Sequence, residues 1–427
     1  MDIQKALIVL ASLLICPPVL ANNNCSLGVY SDGDANTVVL QKDSGDSGLK
    51  YLMLNGVFGN TESTTPPFRC KSKSIHIDKV TAPLERISLR QTLTTFTSVN
   101  TQLTGMLIEP SNPDRHAYPL IVMVHGSEQE PSIGNIRAQL LAAMGIAVFT
   151  YDKRGTGQSA GFYTQNFELL AEDAAAAMKH AQSLANGKIN RAGFWGSSQG
   201  GWVAPLAATK TPVDFVVVSY GLVASPIEED LDQMLLEAQQ QQLNPEQLEF
   251  IRRLSKVTST LLLSNFTSGF EALENLRKEL ETQQWVNSIR GEYSGAMLQM
   301  SDVNLKRIGK AYFDNLELIW DYQATPVLEK LQIPILWIIA EDDREAPIER
   351  TLLSLAALKE INKQLDVYIF PNTDHGMYEY RQLPDGSRQN LRVTDGYFKL
   401  ITEWVHQKKQ LNSGKGLPFH PINLNSN

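Results

Sequence analysis

Apolar residues along this chain fall into distinct textures. Between residues 85 and 225, and again from about 326 to 409, short unbroken apolar runs alternate with longer stretches whose apolar residues recur every three or four positions. The runs at 120–124, 147–151, 215–219, 335–339 and 365–370 show no polar alternation, which is the pattern of strands buried on both faces of a sheet. Helical periodicity lies at 133–144, 166–185, 199–208, 347–361 and 393–407, and a further short strand is predicted at 189–195. Strands and helices alternating in this way predict an α/β fold with a doubly wound, mostly parallel sheet. Ahead of it, strand-like runs at 87–96 and 102–108 close on Pro-Ser-Asn-Pro at 110–113, predicting a hairpin and a turn.

The alternation stops at about residue 226. The next hundred residues, 226–325, are rich in Glu, Gln and Leu and carry no β-type run. Helices are expected over 228–242, 245–260, 269–283 and 303–316, forming a helical cap inserted between two strands of one sheet. Residues 22–84 have a third texture: short β-type runs such as 37–40, 51–54 and 74–77, separated by turn signals including Asn55-Gly56. These predict a small N-terminal antiparallel β-unit packed against the next domain. Residues 410–427 are polar, with Gly, Pro, Asn and Ser, and are expected to be disordered.

Composition narrows the picture. Of 427 residues, 43% are apolar and 20% charged, as in ordinary soluble globular chains, and a formal net charge of −8 gives no electrostatic reason to bind nucleic acid. Residues 1–21 combine Lys5, an apolar stretch from Ala6 to Cys16 and a small-residue site at Val19-Leu20-Ala21. This is the pattern of a cleaved signal peptide, leaving no membrane anchor and an exported chain, periplasmic or secreted. Ile15 and Asn24 precede Cys16 and Cys25 where a lipid-modification site takes a small residue. The cysteines remaining after cleavage, Cys25 and Cys70, are expected to form one disulfide. With no CxxC pair, neither zinc nor thiol redox chemistry is indicated, and no cofactor is expected.

Candidate chemistry centres on Gly196-Ser197-Ser198-Gln199-Gly200, between a predicted strand and a predicted helix. It fits G-x-S-x-G, the nucleophile elbow, where a sharp turn excludes Cβ atoms on either side of an exposed serine. Register selects Ser198, because Ser197 as nucleophile would put Trp195 and Gln199 at the glycine positions. A neutral hydroxyl needs an adjacent base. The chain has seven histidines, and His375 is the one on a loop beyond the last predicted sheet strand. The loop after 335–339 offers four acids, Glu341, Asp342, Asp343 and Glu345, to orient it. Asp374 adjoins His375, where neighbouring side chains diverge, and is expected to be solvated. Gln199, following the serine at a helix start, supplies one oxyanion N–H. The loop 152–159 faintly matches a dinucleotide fingerprint, but its third glycine, Gly161, is one residue late, and Asp152 and Arg154 crowd the phosphate position.

Several of these stretches resemble motifs of secreted bacterial α/β-hydrolases of the dienelactone-hydrolase and serine-aminopeptidase-like group. Glu341–Pro347 is similar to that group's G-x-x-D-x-x-x-P loop, with Ala340 at the usual glycine position. The resemblance implies Asp343 as the orienting acid, ahead of Asp342, and a catalytic order Ser198, Asp343, His375. His125-Gly126-Ser127 resembles the group's H-G-x turn, implying Ser127 N–H as the second oxyanion donor with Gly126 as the alternative. Glu128 stands where related sequences often have glycine. Residues 152–159 resemble the D-x-R-G-x-G-x-S turn, implying a structural role. Asp321-Tyr322 and Thr325–Leu331 also look familiar from the group, and the resemblance spans roughly 85–225 and 320–408. It implies a serine hydrolase of carboxylic esters acting through an acyl-enzyme, with the cap's leucines forming an apolar acyl pocket. The same catalytic groups would suit a peptidase or aminopeptidase, in which a cap acid, Glu228 or Glu229, holds a substrate ammonium. A binding protein on a hydrolase scaffold is a further reading, against which the intact serine and histidine count. The expected partner is a small-molecule ester or a short peptide.

Overall fold

The computed structural model describes residues 25–420, apart from 34, 44, 46, 72, 111–115, 186–188, 282 and 314. The expected signal peptide, 1–21, and the end of the polar tail, 421–427, lie outside the described residues.

The N-terminal unit consists of β1 (Gly28–Ser31), β2 (Thr37–Lys42), β3 (Leu49–Met53), β4 (Phe58–Asn60), β5 (Phe68–Lys71), β6 (Ser74–Ile77) and β7 (Leu84–Ile87). Among the described residues they form an antiparallel sheet in the order β4-β3-β2-β1-β7-β6-β5, and a disulfide joins Cys25 to Cys70. Side chains alternate across each strand. Tyr30, Val38, Leu40, Tyr51 and Met53 therefore close one apolar cluster, while Val29, Val39 and Leu52 turn the other way, towards the next domain.

The chain then enters the hairpin β8 (Arg90–Ser98) and β9 (Thr101–Glu109). From there it alternates through β10 (Tyr118–Val124), α1 (Ile136–Ala143), β11 (Ala147–Tyr151), α2 (Phe167–Leu184), β12 (Ile189–Ser197), α3 (Gly200–Lys210) and β13 (Phe215–Ser219). After the cap come β14 (Ile335–Ala340) and β15 (Leu365–Phe370). The main sheet runs β15-β14-β13-β12-β10-β11-β9-β8, parallel from β15 to β11 and antiparallel beyond. β10, β11, β13 and β14 are buried at every position, which is why they read as unbroken apolar runs. Helices cover both faces. α2 and α3 close one core with Phe194, Val216 and Trp337, while α1 and the helix Tyr397–Val405 close the other with Trp195, Val217 and the N-terminal sheet. The predicted α/β class and doubly wound sheet are those observed.

The cap comprises α4 (Pro226–Gln240), α5 (Pro245–Leu263), α6 (Phe270–Leu280) and α7 (Ser294–Gln299), followed by shorter turns. Its leucines, among them Leu254, Leu261, Leu273 and Leu276, pack into a core of their own. Bidentate hydrogen bonds from Arg350 to Asp232, both 2.8 Å, tie α4 to the helix Ile348–Ile361.

Three expectations need correcting. The helix expected at 303–316 is broken into short turns, with a π-type turn at Leu305–Gly309 and Leu316 in the left-handed region at φ 56°. The helix expected at 393–407 begins at Tyr397, because Val393 ends a strand of a small sheet and residues 394–396 turn into the helix. That sheet consists of β16 (Thr373–Asp374), β17 (Tyr378–Gln382) and β18 (Arg388–Val393). Charged and amide side chains along β17 and β18 hide their β character, although Pro384-Asp385-Gly386 is a turn signal. Lastly, residues 410–420 are not disordered: β19 (Leu417–Pro418) pairs with β15, and buried Phe419 donates its N–H to Val367 O at 2.8 Å. Backbone pairing beside one buried aromatic ring lets this polar stretch cover the sheet edge.

Candidate active site

In a parallel sheet every strand delivers its following loop to the same edge, and that edge is where ligands bind. β10, β12, β13, β14 and β15 bring residues 125–128, 197–199, 220–222, 341–347 and 371–377 together there.

β12 leads into α3 through Ser198, whose φ of 52° lies in the left-handed region, a sparsely populated conformation that costs of order 1–3 kcal/mol for a non-glycine residue. Gly196 and Gly200 flank it because there is no room for more: a Cβ on Gly196 would meet the Gly200 carbonyl, and one on Gly200 the Val124 carbonyl. Ser198 N–H is secured to Ser219 O at 3.1 Å.

His375 Nε2 lies 3.2 Å from Ser198 Oγ, and its Nδ1 lies 2.9 and 3.1 Å from the Asp343 carboxylate oxygens. A carboxylate only accepts, so Nδ1 carries the proton and Nε2 is left to accept from the serine hydroxyl. Asp343 is buried, and its Oδ1 also accepts from Glu345 N at 3.0 Å and Ala346 N at 2.8 Å. The Tyr220 ring packs edge-on against the imidazole, centroids 4.9 Å apart. Burial pushes the His375 pKa down. The hydrogen bond and charge of Asp343, with the charges of Glu345 and Asp374, outweigh it, so the net shift is upward.

The other candidates sort themselves by contact. Asp342 accepts from Tyr380 OH at 2.9 Å rather than facing His375. Asp374, expected to be solvated, is instead buried, capping His375 N–H at 2.9 Å and pairing with Arg388 at 2.8 Å and Arg344 at 3.3 Å. Those arginines come from the hairpin and the acid loop, which the one-dimensional reading could not bring to it. His125 is buried and pairs with Glu128 at 3.2 Å. Asp152 gathers N–H groups from Ser132, Ile133 and Gln158 at 2.9–3.0 Å, and Arg154 grips Asp173 at 2.6 and 2.8 Å. The 152–159 loop is thus occupied in holding the fold.

Ser127, Gln199, Ser198 and His375 all line one cavity of about 590 Å³, roofed by the cap. Neither Ser127 N–H nor Gln199 N–H is taken by the chain's own hydrogen bonds among the described residues. The lining differs from the expected leucine-rich pocket. It is aromatic, with Trp202, Tyr293, Tyr312, Phe313 and Trp320, and it includes three carboxylates, Glu229, Glu292 and Glu345. Of the two cap acids singled out, Glu228 is used in the capping box of α4, accepting from Ser225 N–H at 2.9 Å, whereas Glu229 faces the cavity. Gln233 Nε2 braces the other two, donating to Glu292 Oε1 and Glu345 O, both at 2.6 Å. Burial raises the Glu229 pKa well above the usual carboxylate range, and Glu292, Asp343, Asp230 and Glu345 push it further. Asp230 anchors the wall by accepting from Tyr293 N at 2.9 Å and Ser294 N at 3.1 Å. Glu292 had no motif to mark it, and Glu345 was noticed only as one of four acids in the loop before Pro347. Among the described residues no group of three or more His, Cys, Asp or Glu side chains is arranged to hold a metal ion.

The sequence model of the family described as serine aminopeptidase, S33, matches residues 115–276. No curated protein sequence is significantly similar. Solved structures similar to the chain include an esterase of Pyrococcus furiosus, 14% identical, covering 68% of this chain and 84% of its own, TM-score 0.43. An acylaminoacyl peptidase of Pyrococcus horikoshii is 15% identical over 92% of this chain, which spans 56% of the peptidase's length, TM-score 0.46. A proline iminopeptidase of Mycobacterium smegmatis is 17% identical over 74% of this chain and 98% of its own, TM-score 0.43. The matched segment spans β10 to α6, that is the middle of the doubly wound sheet and the first helices of the cap.

Proposed function

We propose that this chain is a serine hydrolase that cleaves carboxylic esters through an acyl-enzyme on Ser198. The observation that carries the reading is the hydrogen-bonded series Ser198, His375, Asp343 at the floor of a cavity whose size suits a small substrate. In this reading His375 Nε2 takes the Ser198 proton as Oγ attacks the carbonyl. Asp343 holds the tautomer and stabilises the imidazolium. Gln199 N–H and Ser127 N–H receive the developing oxyanion. His375 then passes its proton to the leaving oxygen, and the same nitrogen activates the water that releases the acid.

A second reading rests on the three glutamates among the aromatic rings. Carboxylates and π-faces together suit a cation, so an acyl group bearing an ammonium, as at a peptide N-terminus, would be favoured over a neutral one. The same triad would then serve an aminopeptidase. The disulfide Cys25–Cys70 supports export to an oxidising compartment.

The test is a panel of p-nitrophenyl acetate and butyrate beside aminoacyl p-nitrophenyl esters and aminoacyl p-nitroanilides. Ester turnover is expected throughout, with lower KM for the aminoacyl esters. Anilide turnover comparable to ester turnover would establish the peptidase reading, and no turnover of any ester would refute the first.

A further inference from the structure

The segment 125–128 that offers Ser127 N–H is a short loop, and something must fix its peptide planes. In a trans peptide the C=O of one residue and the N–H of the next point in opposite directions. The orientation of the Gly126 carbonyl therefore dictates where Ser127 N–H points. Lys153, buried at 3% exposure just past the end of β11, donates Nζ–H to Gly126 O at 2.6 Å. Tyr163 OH donates to the carbonyl of Ser127 itself, and the Lys153 ammonium sits 5.0 Å from the Tyr163 ring centroid. Gly126 packs against Ser198: a Cβ there would lie 3.2 Å from Ser198 Cβ, so the loop and the nucleophile share one position.

We infer that Lys153 is a positioning residue for catalysis, holding the Gly126–Ser127 peptide so that Ser127 N–H faces the oxyanion. The inference rests on the reading of Ser198 as nucleophile. Three features support it. A structural lysine is ordinarily solvated, and burying an ammonium is costly unless it is bonded and compensated. Here the bond goes to a backbone carbonyl, and Glu128 and Glu130 provide the compensating charge. Burial draws the Lys153 pKa down to about 8, the two glutamates opposing it, so the side chain is mostly charged at neutral pH. Glu128, at the usual glycine position, is ionised as well: burial resists its charge, but His125 and Lys153 outweigh that and hold its pKa to about 2. Finally, the charge lies one peptide unit from the oxyanion position, where its field adds to that of the N–H groups.

The experiment compares native protein with Lys153→Met, which keeps the bulk and removes donor and charge, and Lys153→Arg, which keeps both. Melting curves confirm folding. Labelling by a fluorophosphonate, kcat and KM on one p-nitrophenyl ester, and Ki for a trifluoromethyl ketone, which binds as a tetrahedral oxyanion, and for the product acid are then measured. Loss of a whole oxyanion donor costs roughly 10²–10³-fold in kcat. Lys153→Met, which misaligns the donor but does not remove it, is expected to lose about tenfold or more in kcat, up to that range, with KM nearly unchanged. Its trifluoromethyl ketone Ki should rise in parallel while the product-acid Ki stays put, and Lys153→Arg should recover much of both. A folded Lys153→Met with kcat within about twofold of native, or with both Ki values weakened equally, would overturn the inference. Failure of native protein to label would instead overturn the reading of Ser198, and the inference with it.

Discussion

Replacing Asp343 by Asn is an informative single change, because the structure fixes which way the amide must face. In the native site Oδ1 accepts from Glu345 N and Ala346 N at 3.0 and 2.8 Å, while Oδ2 faces His375 Nδ1 at 2.9 Å. An Asn amide oxygen placed at Oδ1 keeps both backbone bonds but turns its NH2 towards His375. Nδ1 must then accept, Nε2 must carry the proton, and Nε2 can no longer take one from Ser198. Flipping the amide restores the tautomer but sets the NH2 against two N–H groups, that of Ala346 buried and that of Glu345 partly so. Each unsatisfied donor costs about 1–3 kcal/mol, so the useful orientation is disfavoured by roughly 2–6 kcal/mol, or about 30-fold to 10⁴-fold. The expected result is a fall in kcat of that size with KM nearly constant and the melting temperature close to native. The pH profile should move too. His375 must be neutral to act as base, so native activity is lost as pH falls through a pKa raised above the ordinary 6.5. Without the Asp343 charge, burial prevails and the midpoint of the residual activity should drop. A folded variant retaining more than about a tenth of native kcat would refute the tautomer argument.

The neighbouring serine provides a control: Ser198→Ala should abolish ester turnover while Ser197→Ala retains much of it, and equal loss in both would undo the choice of nucleophile. Glu229→Gln should raise KM for aminoacyl esters but not for p-nitrophenyl butyrate; because a bound cation favours ionised Glu229, native KM for the aminoacyl esters should also fall as pH rises. Equal effects on charged and neutral esters would exclude Glu229 as a cation contact. Cys25→Ser opens a link between residues 45 apart, worth up to about 4 kcal/mol by loop-closure entropy. Hydrogen exchange should therefore quicken in β1–β7 with little change in kcat, and unaltered protection there would show that the sheet holds without the link.

Much of the core was legible because buried parallel strands leave unbroken apolar runs: 147–151, 215–219 and 365–370 coincide with β11, β13 and β15. The elbow was legible because backbone sterics restrict what a strand-to-helix turn can contain, and His375 because it follows the last strand, whereas Asp343 was singled out from four acids only by the resemblance of its loop. What escaped depends on contacts made across the fold. The hairpin β17–β18 is mostly charged and amide residues, and its Arg388 becomes meaningful only beside Asp374. The carboxylates of the cavity come from 229, 292 and 345, which lie on separate elements and share no spacing. The cap's leucines read as a substrate pocket because periodicity reports that a face is buried, not against what; they are spent on the cap's own core. Lys153 looked like one more residue of a structural turn until its carbonyl partner was in view.

The central claim is that Ser198 becomes acylated. Native protein mixed with a p-nitrophenyl ester and quenched in acid within the pre-steady state, then digested and mapped by mass spectrometry, tests it directly. One acyl group on the Ser198 hydroxyl, absent from Ser198→Ala and accumulating in Asp343→Asn no faster than its turnover allows, is the predicted result. Turnover with no adduct under conditions where deacylation is rate-limiting, or an adduct on Ser197, would contradict it.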